Sequence, residues 1–376
     1  MQLKKIFVIG ILVSCCTNVA AYAEKKVDFV PYSKSNNMFV PPEGSFMMPE
    51  NDEYKWFFLM DNSNYRNFDT IRRGLFYKEK GLLNKEDKLL LGGFYTKGLH
   101  SGYFLYSTPL NKKGLRTDLA YVGESTKGAS GYFESTRYRD HNNAYCINFA
   151  QSVVQNSKSY AEIFMGATDY NCPVEYRSIP GSKTVSGYTD VNMGYLLMDF
   201  GNSHTSTQKL NMYYGHGKES TNIGSGRYLS LQADVSYKKS YKHGQYLQTN
   251  GSYTRGTSSH SAVDRSVAIA GPYSVRGYDF KFISCRNVLK GNFNYGVPLS
   301  KDSKYVGYVF YDVARLQKSE VYQDIKILAS TGIGVDANLS RNYYLNLELV
   351  HPFQHNFEGK HPQSKAKANF TLVARF

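Results

Sequence analysis

A period of two in hydrophobicity, repeated from Tyr54 to the last residue, constrains this 376-residue chain more than any other feature. In the segment 228–237, one set of alternate positions is apolar and the other set is largely polar. The apolar set is Leu229, Leu231, Ala233, Val235 and Tyr237, and the other is Tyr228, Ser230, Gln232, Asp234 and Ser236. Successive side chains of a β-strand point to opposite faces of its sheet, so this alternation predicts strands with two unlike faces. The segments 115–123, 343–349 and 366–376 show the same pattern.

Strands of this kind occur in soluble β-sandwiches and in membrane barrels. Three features favour the barrel: an N-terminal signal sequence, many successive strands without helices, and a chain that ends on a strand. A closed sheet is also the only β structure that leaves no backbone group unpaired in lipid. At roughly 20 residues per strand and loop, we predict an all-β, transmembrane antiparallel β-barrel of about 16 strands, with 14 or 18 as alternatives.

The composition is compatible with a barrel that faces lipid. The chain has 33 Tyr and 22 Phe, and the tyrosine ring can meet lipid while its hydroxyl meets water. The mean hydropathy of -0.46 does not argue against a membrane location, because a barrel places its apolar residues only at alternate positions. A secreted soluble β protein could have a similar composition.

The N-terminus has the form of a signal peptide. Two lysines precede a short apolar run at 6–13, and a small-x-small pattern follows at 21–23. The apolar run is far shorter than the roughly 20 residues of a membrane-spanning helix. We therefore expect residues 1–23 to be removed and the mature chain to begin at Glu24. Lipoprotein processing at Cys15 is the alternative.

Residues 24–52 differ from the rest of the chain. They contain four prolines and show no sustained period of two or of 3.6. We expect an extended periplasmic tail or a plug of the lumen, because so short a segment cannot build a core of its own. The barrel is then expected to comprise residues 53–376.

The formal net charge of +14 raises the question of nucleic-acid binding. The basic residues are scattered, however, and no zinc-binding or RNA-stacking motif accompanies them. We expect no nucleic-acid partner, and instead expect cationic loops and a cationic lumen that face lipopolysaccharide and periplasmic polymers. The sequence contains no constellation of nucleophile and base or paired carboxylates, so we do not expect an enzyme.

Three cysteines lie beyond the signal peptide: Cys146, Cys172 and Cys285. An odd number in an oxidising compartment allows a Cys146–Cys172 disulfide or three unpaired thiols. No CxxC pair or histidine cluster is present, so the sequence predicts neither a metal nor another cofactor.

Two segments of the last third carry the residues of a candidate site. The turn-rich stretch 269–280 contains Arg276, which precedes Gly277 and can therefore approach other backbone closely. The strand 305–316 places Asp312 on its inward face. A carboxylate on the wall of a narrow lumen requires a cation, and a guanidinium can bind it through two parallel hydrogen bonds. We therefore predict that Arg276 pairs with Asp312.

These two segments resemble paired motifs of a known superfamily of outer-membrane barrels. SVRGY (274–278) resembles the VRG(Y/F) motif, and FYDVA (310–314) resembles the FxDxG motif that follows it. The superfamily contains the BamA-type insertases and the two-partner secretion transporters, and the haemolysin-activator (ShlB/FhaC/HecB-type) transporters are nearest. The similarity extends over 268–376 and includes NFNYGVPL (292–299), ASTGIGV (329–335) and LNLELVHPF (345–353).

The resemblance implies a long loop that folds back into a 16-stranded barrel and presents its arginine to the aspartate of the wall. The residues it assigns to the loop motif are Val275, Arg276, Gly277 and Tyr278, and those on the wall are Phe310 and Asp312. Alternating apolar residues before the final phenylalanine resemble the C-terminal signal read by the barrel-assembly machinery. Here that signal comprises Phe370, Leu372 and Phe376. The alternative is an ordinary edge strand that ends in phenylalanine.

The sequence departs from the family in two respects. Ala314 stands where the family has glycine, and the segment before Tyr54 is too short for a folded POTRA domain, so we expect such domains to be absent. The resemblance implies a barrel that secretes or inserts a protein client. A passive pore or structural barrel without a client is the main alternative, and an outer-membrane enzyme is a weaker one.

Overall fold

The computed structural model describes residues 54–62, 71–84, 86–128, 135, 137–178, 184–219, 226–258, 266–270, 274–278, 281–284, 287–317, 327–353 and 366–376. The expected signal peptide and the segment 24–52 lie outside these residues. No helix within the described ranges is long and apolar enough to span a membrane.

The described strands form one closed antiparallel barrel of sixteen strands and a separate two-stranded hairpin. This confirms the predicted fold class and strand number. The barrel strands are β1 (Trp56–Asp61), β2 (Arg72–Lys80), β3 (Lys88–Tyr95), β4 (Leu99–Pro109), β5 (Leu115–Lys127), β6 (Tyr138–Gln155), β7 (Ser159–Tyr176), β8 (Thr184–Phe200), β9 (His204–Glu219), β10 (Gly226–Ser240), β11 (Tyr246–Ser258), β14 (Asn287–Pro298), β15 (Tyr305–Gln317), β16 (Ile327–Asn338), β17 (Tyr343–Pro352) and β18 (Lys367–Arg375). The hairpin consists of β12 (Ser266–Ala270) and β13 (Lys281–Ser284).

Each barrel strand pairs with its neighbours in the chain, except where β11 pairs with β14 and where β1 closes the barrel against β18. The closing register runs from Phe57 opposite Arg375 to Asp61 opposite Thr371. We call the end at which β1 begins and β18 ends the terminal rim, and the opposite end the loop rim. The β12–β13 hairpin, which the alternation did not predict, belongs to the connection between β11 and β14 at the loop rim.

Burial shows which face of the strands points inward. In β10, Tyr228 and Gln232 are each 3% exposed, whereas the apolar Leu229 and Val235 are 42% and 52% exposed. A soluble sandwich would have the reverse arrangement, with its apolar face covered. Polar side chains inside and apolar side chains outside are typical of a barrel that faces lipid.

Part of the inner wall is nevertheless apolar. Phe57, Phe76, Phe94 and Tyr103 form a buried cluster on the first four strands. The rings of Phe57 and Phe76 are stacked with centroids 5.1 Å apart. The cluster lines the inner wall next to the closure of β1 on β18, so this part of the interior is packed with side chains.

The described inner wall carries acidic as well as basic side chains. Many of its carboxylates are buried; they include Asp61, Asp118, Asp140, Asp190, Asp234, Asp312 and Glu348. Lys209 and Lys238 of the same wall lie over the rings of Phe164 and Tyr246. Inward positions come from every strand, and the alternation selects polarity rather than the sign of charge. The expectation of a cationic lumen stays a prediction.

Candidate functional site

The site is built where the tip of the β11–β14 connection contacts the inner wall. Residues 274–278 form a tight turn, and all five are buried. They contact strands β14 to β17. Asp312 lies five residues before the end of β15 at Gln317, so the turn is about 16 Å below the loop rim, measured along the strand.

Arg276 binds Asp312 in the two-bond geometry. Nε of Arg276 donates to Oδ2 of Asp312 at 2.6 Å, and Nη2 donates to Oδ1 at 2.7 Å. The backbone N–H of Arg276 donates to the same Oδ2 at 3.1 Å. The Asp312 side chain is 0% exposed and that of Arg276 is 9% exposed. The pair is thus removed from water, and its orientation is fixed on both sides.

Three further groups surround the guanidinium. Nη1 donates to Oε1 of Glu348 at 2.8 Å, and Nη2 donates to Oδ1 of Asn294 at 2.8 Å. The ring of Phe310 lies beneath the guanidinium, with its centroid 3.4 Å from Cζ of Arg276. Planar stacking on an aromatic ring suits arginine and would not suit lysine.

These contacts keep Arg276 charged. Burial lowers the pKa of the guanidinium, but the hydrogen bonds and negative charge of Asp312, together with Glu348, outweigh burial and hold the pKa above its ordinary value. A permanent cation on the loop therefore binds two carboxylates that belong to the wall.

The remaining motif residues hold the turn in place. Tyr278 donates its hydroxyl hydrogen to the carbonyl oxygen of Ala329 at 2.8 Å, and Val275 is 1% exposed. Gly277 has φ of 85°, and a Cβ at this position would lie 2.7 Å from Cγ1 of Val350. Both the left-handed backbone and the close approach of β17 therefore require glycine here.

Asn292 links the turn to the aspartate. Its Nδ2 donates to the carbonyl oxygen of Ser274 at 2.9 Å and to Oδ1 of Asp312 at 3.0 Å. One side chain of β14 thus binds the loop backbone and the central carboxylate together.

A chain of hydrogen bonds continues from the site toward the terminal rim. The hydroxyl of Tyr308 donates to Oε1 of Glu348 at 2.9 Å, and Nδ2 of Asn346 contacts the Tyr308 hydroxyl at 2.6 Å. Asn346 also donates to Asp336 at 2.9 Å, as does the hydroxyl of Tyr344 at 2.6 Å. Tyr344 is the second residue of β17, so the polar network reaches from the loop tip almost to the terminal rim.

The sequence did not single out Glu348, Asn294, Asn292 or Tyr308. A signal for Glu348 was present, because it alternates with leucines in 345–349 and so belongs to the polar inward face. The alternation does not specify its height in the barrel, and its contact with Arg276, 72 residues earlier, depends on the register of β17.

The expected C-terminal signal residues lie at the closure of the barrel. Phe370 and Leu372 are opposite Leu347 and Leu345 of β17. Phe376 follows β18 with 59% of its surface exposed, and its backbone N–H donates to the carbonyl oxygen of Trp56 at 2.8 Å. Their role in assembly stays a prediction.

The sulfur of Cys146 contacts the hydroxyl oxygen of Thr168 at 2.9 Å. The register of β6 and β7 places Thr168, four residues from Cys172, opposite Cys146. A Cys146–Cys172 disulfide is therefore incompatible with this pairing, because bridged Cα atoms lie within about 7 Å. Among the described residues, no cluster of His, Cys, Asp and Glu could hold a metal ion.

No protein-family model matches the sequence, and no curated protein matches it. The fold, by contrast, is similar to solved structures. CdiB from Acinetobacter baumannii has a TM-score of 0.67 and 12% identity, over 87% of this chain and 60% of that one. CdiB from Escherichia coli has a TM-score of 0.69 and 12% identity, over 86% of this chain and 62% of that one.

BamA from Haemophilus ducreyi, in a structure lacking POTRA domains 1–3, has a TM-score of 0.61 and 14% identity. That match covers 85% of this chain and 70% of BamA, whereas the chain spans about 60% of the length of either CdiB. The fold that the two motifs implied is thus confirmed. At these identities the similarity concerns the fold alone.

Proposed function

We propose that this chain is an outer-membrane barrel that transfers or inserts a polypeptide. The observation that carries the proposal is the bidentate contact of Arg276 with Asp312, which attaches the loop tip to the inner wall. A chain that passes through the lumen needs the loop to move or space beside it. Binding and folding of the client beyond the membrane could drive such transfer, so no covalent chemistry is required.

Within this class, the two-partner secretion transporters are the nearest candidates. The sequence motifs resemble those of the haemolysin-activator type, and the similar structures include CdiB, a two-partner secretion transporter. The similarity to BamA supports the broader class, which also includes barrels that insert a client instead of secreting it.

A passive or structural barrel is the second candidate. The observation that favours it is that the loop tip is bound to several strands at once, since Arg276 has hydrogen-bond partners on β14, β15 and β17. With Tyr278 bound to Ala329 of β16 as well, the loop tip is attached to four strands, which suits a barrel whose loop never leaves the wall.

The cellular location belongs to the same proposal. A signal peptide at 1–23 would deliver the chain to the periplasm, the segment 24–52 would form a tail or plug, and Phe370, Leu372 and Phe376 would engage the assembly machinery. The outward apolar face supports insertion into a bilayer. The protein should fractionate with outer membranes and migrate faster unheated than boiled.

A secretome comparison tests transport. Cells that lack the gene are complemented with wild type, Asp312→Ala, or Asp118→Asn as a control for a buried wall aspartate far from the loop. We expect the deletion and Asp312→Ala to remove the same proteins from the medium or cell surface, and Asp118→Asn to restore them. If Asp312→Ala does not assemble, Asp312→Asn replaces it. Identical secretomes would contradict transport and favour the passive barrel.

A further inference from the structure

A turn at the terminal rim presents two adjacent leucines to solvent. The turn joins β2 to β3, and its Leu83 is 81% exposed, the highest value of any large apolar side chain among the described residues. Its neighbour Leu82 is 55% exposed. Apolar surface stabilises a fold only where water is excluded, so these two side chains contribute little to folding. We call this turn, residues 81–84 and 86–87, the leucine turn.

A buried aspartate fixes the shape of the leucine turn. Asp87 is 0% exposed, and its carboxylate accepts hydrogen bonds from three successive backbone N–H groups. Those of Leu82 and Leu83 donate at 2.7 Å, and that of Asn84 donates at 2.8 Å. The hydroxyl of Tyr106, on β4, donates to the same carboxylate at 2.9 Å. A turn held in this way loses little conformational entropy on binding, so the leucines are pre-organised for a contact.

The leucine turn lies beyond the membrane interface. On the outer face, the rings of Trp56 and Tyr77 contact each other with centroids 4.8 Å apart, and aromatic rings of this kind mark the level of the lipid headgroups. The turn begins at Gly81, which is about 13 Å further along the strand, or about 10 Å along the membrane normal at a tilt of about 40°. The headgroup layer is only about 5–8 Å thick on each side. The leucines therefore face water and not hydrocarbon.

The neighbouring turn adds positive charge. Because β3 pairs with β4, the turn between β4 and β5 emerges beside the leucine turn. It carries Lys112 and Lys113, which are exposed and, within the described ranges, make no ion pair. Together the two turns contain three lysines and two acidic residues, one of which is the buried Asp87. The surface thus consists of an apolar pair with cations beside it.

We propose that the leucine turn docks a periplasmic protein whose surface has an apolar pocket bordered by carboxylates. Leu82 and Leu83 fill the pocket, and Lys112 and Lys113 face the carboxylates. A second copy of this chain is a poor fit, since a two-fold contact through this surface brings lysines against lysines.

This inference rests on the outer-membrane placement proposed above, in which the short connections of the terminal rim face the periplasm. It adds a protein partner at that rim, which the transport function does not require. Fractionation of the cells separately tests the placement, so failure of the placement is distinguishable from failure of the docking site.

Photo-crosslinking in living cells tests the docking. The crosslinker p-benzoylphenylalanine replaces Leu83 or, as a control for an exposed leucine, Leu339 in the turn between β16 and β17 of the same rim. Folding of each protein is checked by its faster unheated migration. We expect one discrete adduct with another polypeptide from position 83, and no adduct of that mass from position 339.

Charge reversal makes the test specific. The protein with the crosslinker at position 83 is also made with Lys112→Glu/Lys113→Glu and, as the matched control, with Lys301→Glu/Arg341→Glu in other turns of the terminal rim. Lys112→Glu/Lys113→Glu should lower the yield of the adduct at least about fivefold, because like charges then face each other across the contact. Lys301→Glu/Arg341→Glu should leave the yield unchanged.

Insertion into lipid is measured with a tryptophan. Since the chain has a single Trp, Leu83→Trp in a Trp56→Phe background gives one emission signal. The protein is reconstituted with lipids brominated on their acyl chains, and we expect no quenching. Strong quenching would overturn the proposal, as would an adduct of twice the chain mass, which indicates a second copy. Absence of an adduct, equal adducts from both positions, or a yield that Lys112→Glu/Lys113→Glu leaves unchanged would overturn it too.

Discussion

Two arginine-centred networks on opposite parts of the inner wall use the same groups in different ways. Arg276 binds two carboxylates, and a tyrosine contacts one of them. Arg116 binds Asp118 at 3.2 Å and Glu162 at 2.5 Å, and Tyr160 donates to the same Glu162. The chemistry is nearly identical, but the elements that are joined differ.

The Arg116 network joins strands that the backbone already pairs. Its members lie on β5 and β7, which flank β6 in a continuous ladder. The Arg276 network instead attaches a loop to strands with which the loop shares no ladder. Loss of the Arg116 network should therefore weaken the wall while the barrel stays closed. Loss of the Arg276 network should instead release the loop tip from the wall. An ion pair thus controls conformation only where no backbone pairing duplicates it.

The largest expected effect is that of Arg276→Ala. Removing one partner of a buried pair costs about 3–5 kcal/mol, because the carboxylates left behind have lost their cation. The loop tip should leave the wall, and chymotrypsin should then cleave after Tyr278. The rate of that cleavage in the folded barrel is the measurement. Arg116→Ala is the matched control, and chymotrypsin should cleave it after Tyr278 as slowly as it cleaves wild type. Equally faster cleavage of both variants would contradict the distinction between the two networks.

Arg116→Ala should have a smaller, purely global effect. The Arg116 side chain is 22% exposed, so water replaces part of what is lost. We expect a decrease of about 1–3 kcal/mol in the free energy of unfolding, measured by urea titration in lipid vesicles. Arg116→Lys should recover part of the loss. If Arg116→Ala lowered the free energy of unfolding as much as Arg276→Ala does, the hydrogen-bond ladder of β5, β6 and β7 would not compensate for loss of the Arg116 network.

A double-mutant cycle sharpens the comparison further. Arg276→Ala and Asp312→Ala remove the same contact, so their effects on the free energy of unfolding should be non-additive by about 0.5–3 kcal/mol. The double variant should then be little less stable than either single variant. Arg276→Ala combined with Asp118→Ala should be additive to within about 0.5 kcal/mol. Strict additivity of the first cycle would mean that Arg276 and Asp312 do not interact in the membrane.

The smallest contrast compares two glycines that lie beside the arginines. Gly277 and Gly114 have φ of 85° and 86°, so alanine should cost about 1–2 kcal/mol at either position. Alanine at Gly277 would also approach Val350, whereas at Gly114 its nearest neighbour is Cβ of Ser152 at 3.0 Å. Gly277→Ala alone should therefore raise cleavage after Tyr278. Cleavage that rises equally with Gly114→Ala would contradict a local role for Gly277.

Several features of the molecule could be predicted from short stretches of sequence. The alternation in 228–237 predicted which side chains of β10 face inward, and the SVRGY and FYDVA motifs led to Arg276 and Asp312. The inward aromatic cluster around Phe76 was not predicted. Phe57 and Phe76 belong to different strands, and only their register places one ring on the other.

The sequence by itself determined the strands, their two faces and the residues that mark the loop tip, because each depends on neighbours a few positions apart. Only the tertiary structure decided that Glu348 binds Arg276 and that Tyr308 and Asn346 extend the network. The physical reason is barrel closure. It fixes the height and register of every strand at once, and those long-range quantities leave no trace in a local period of two.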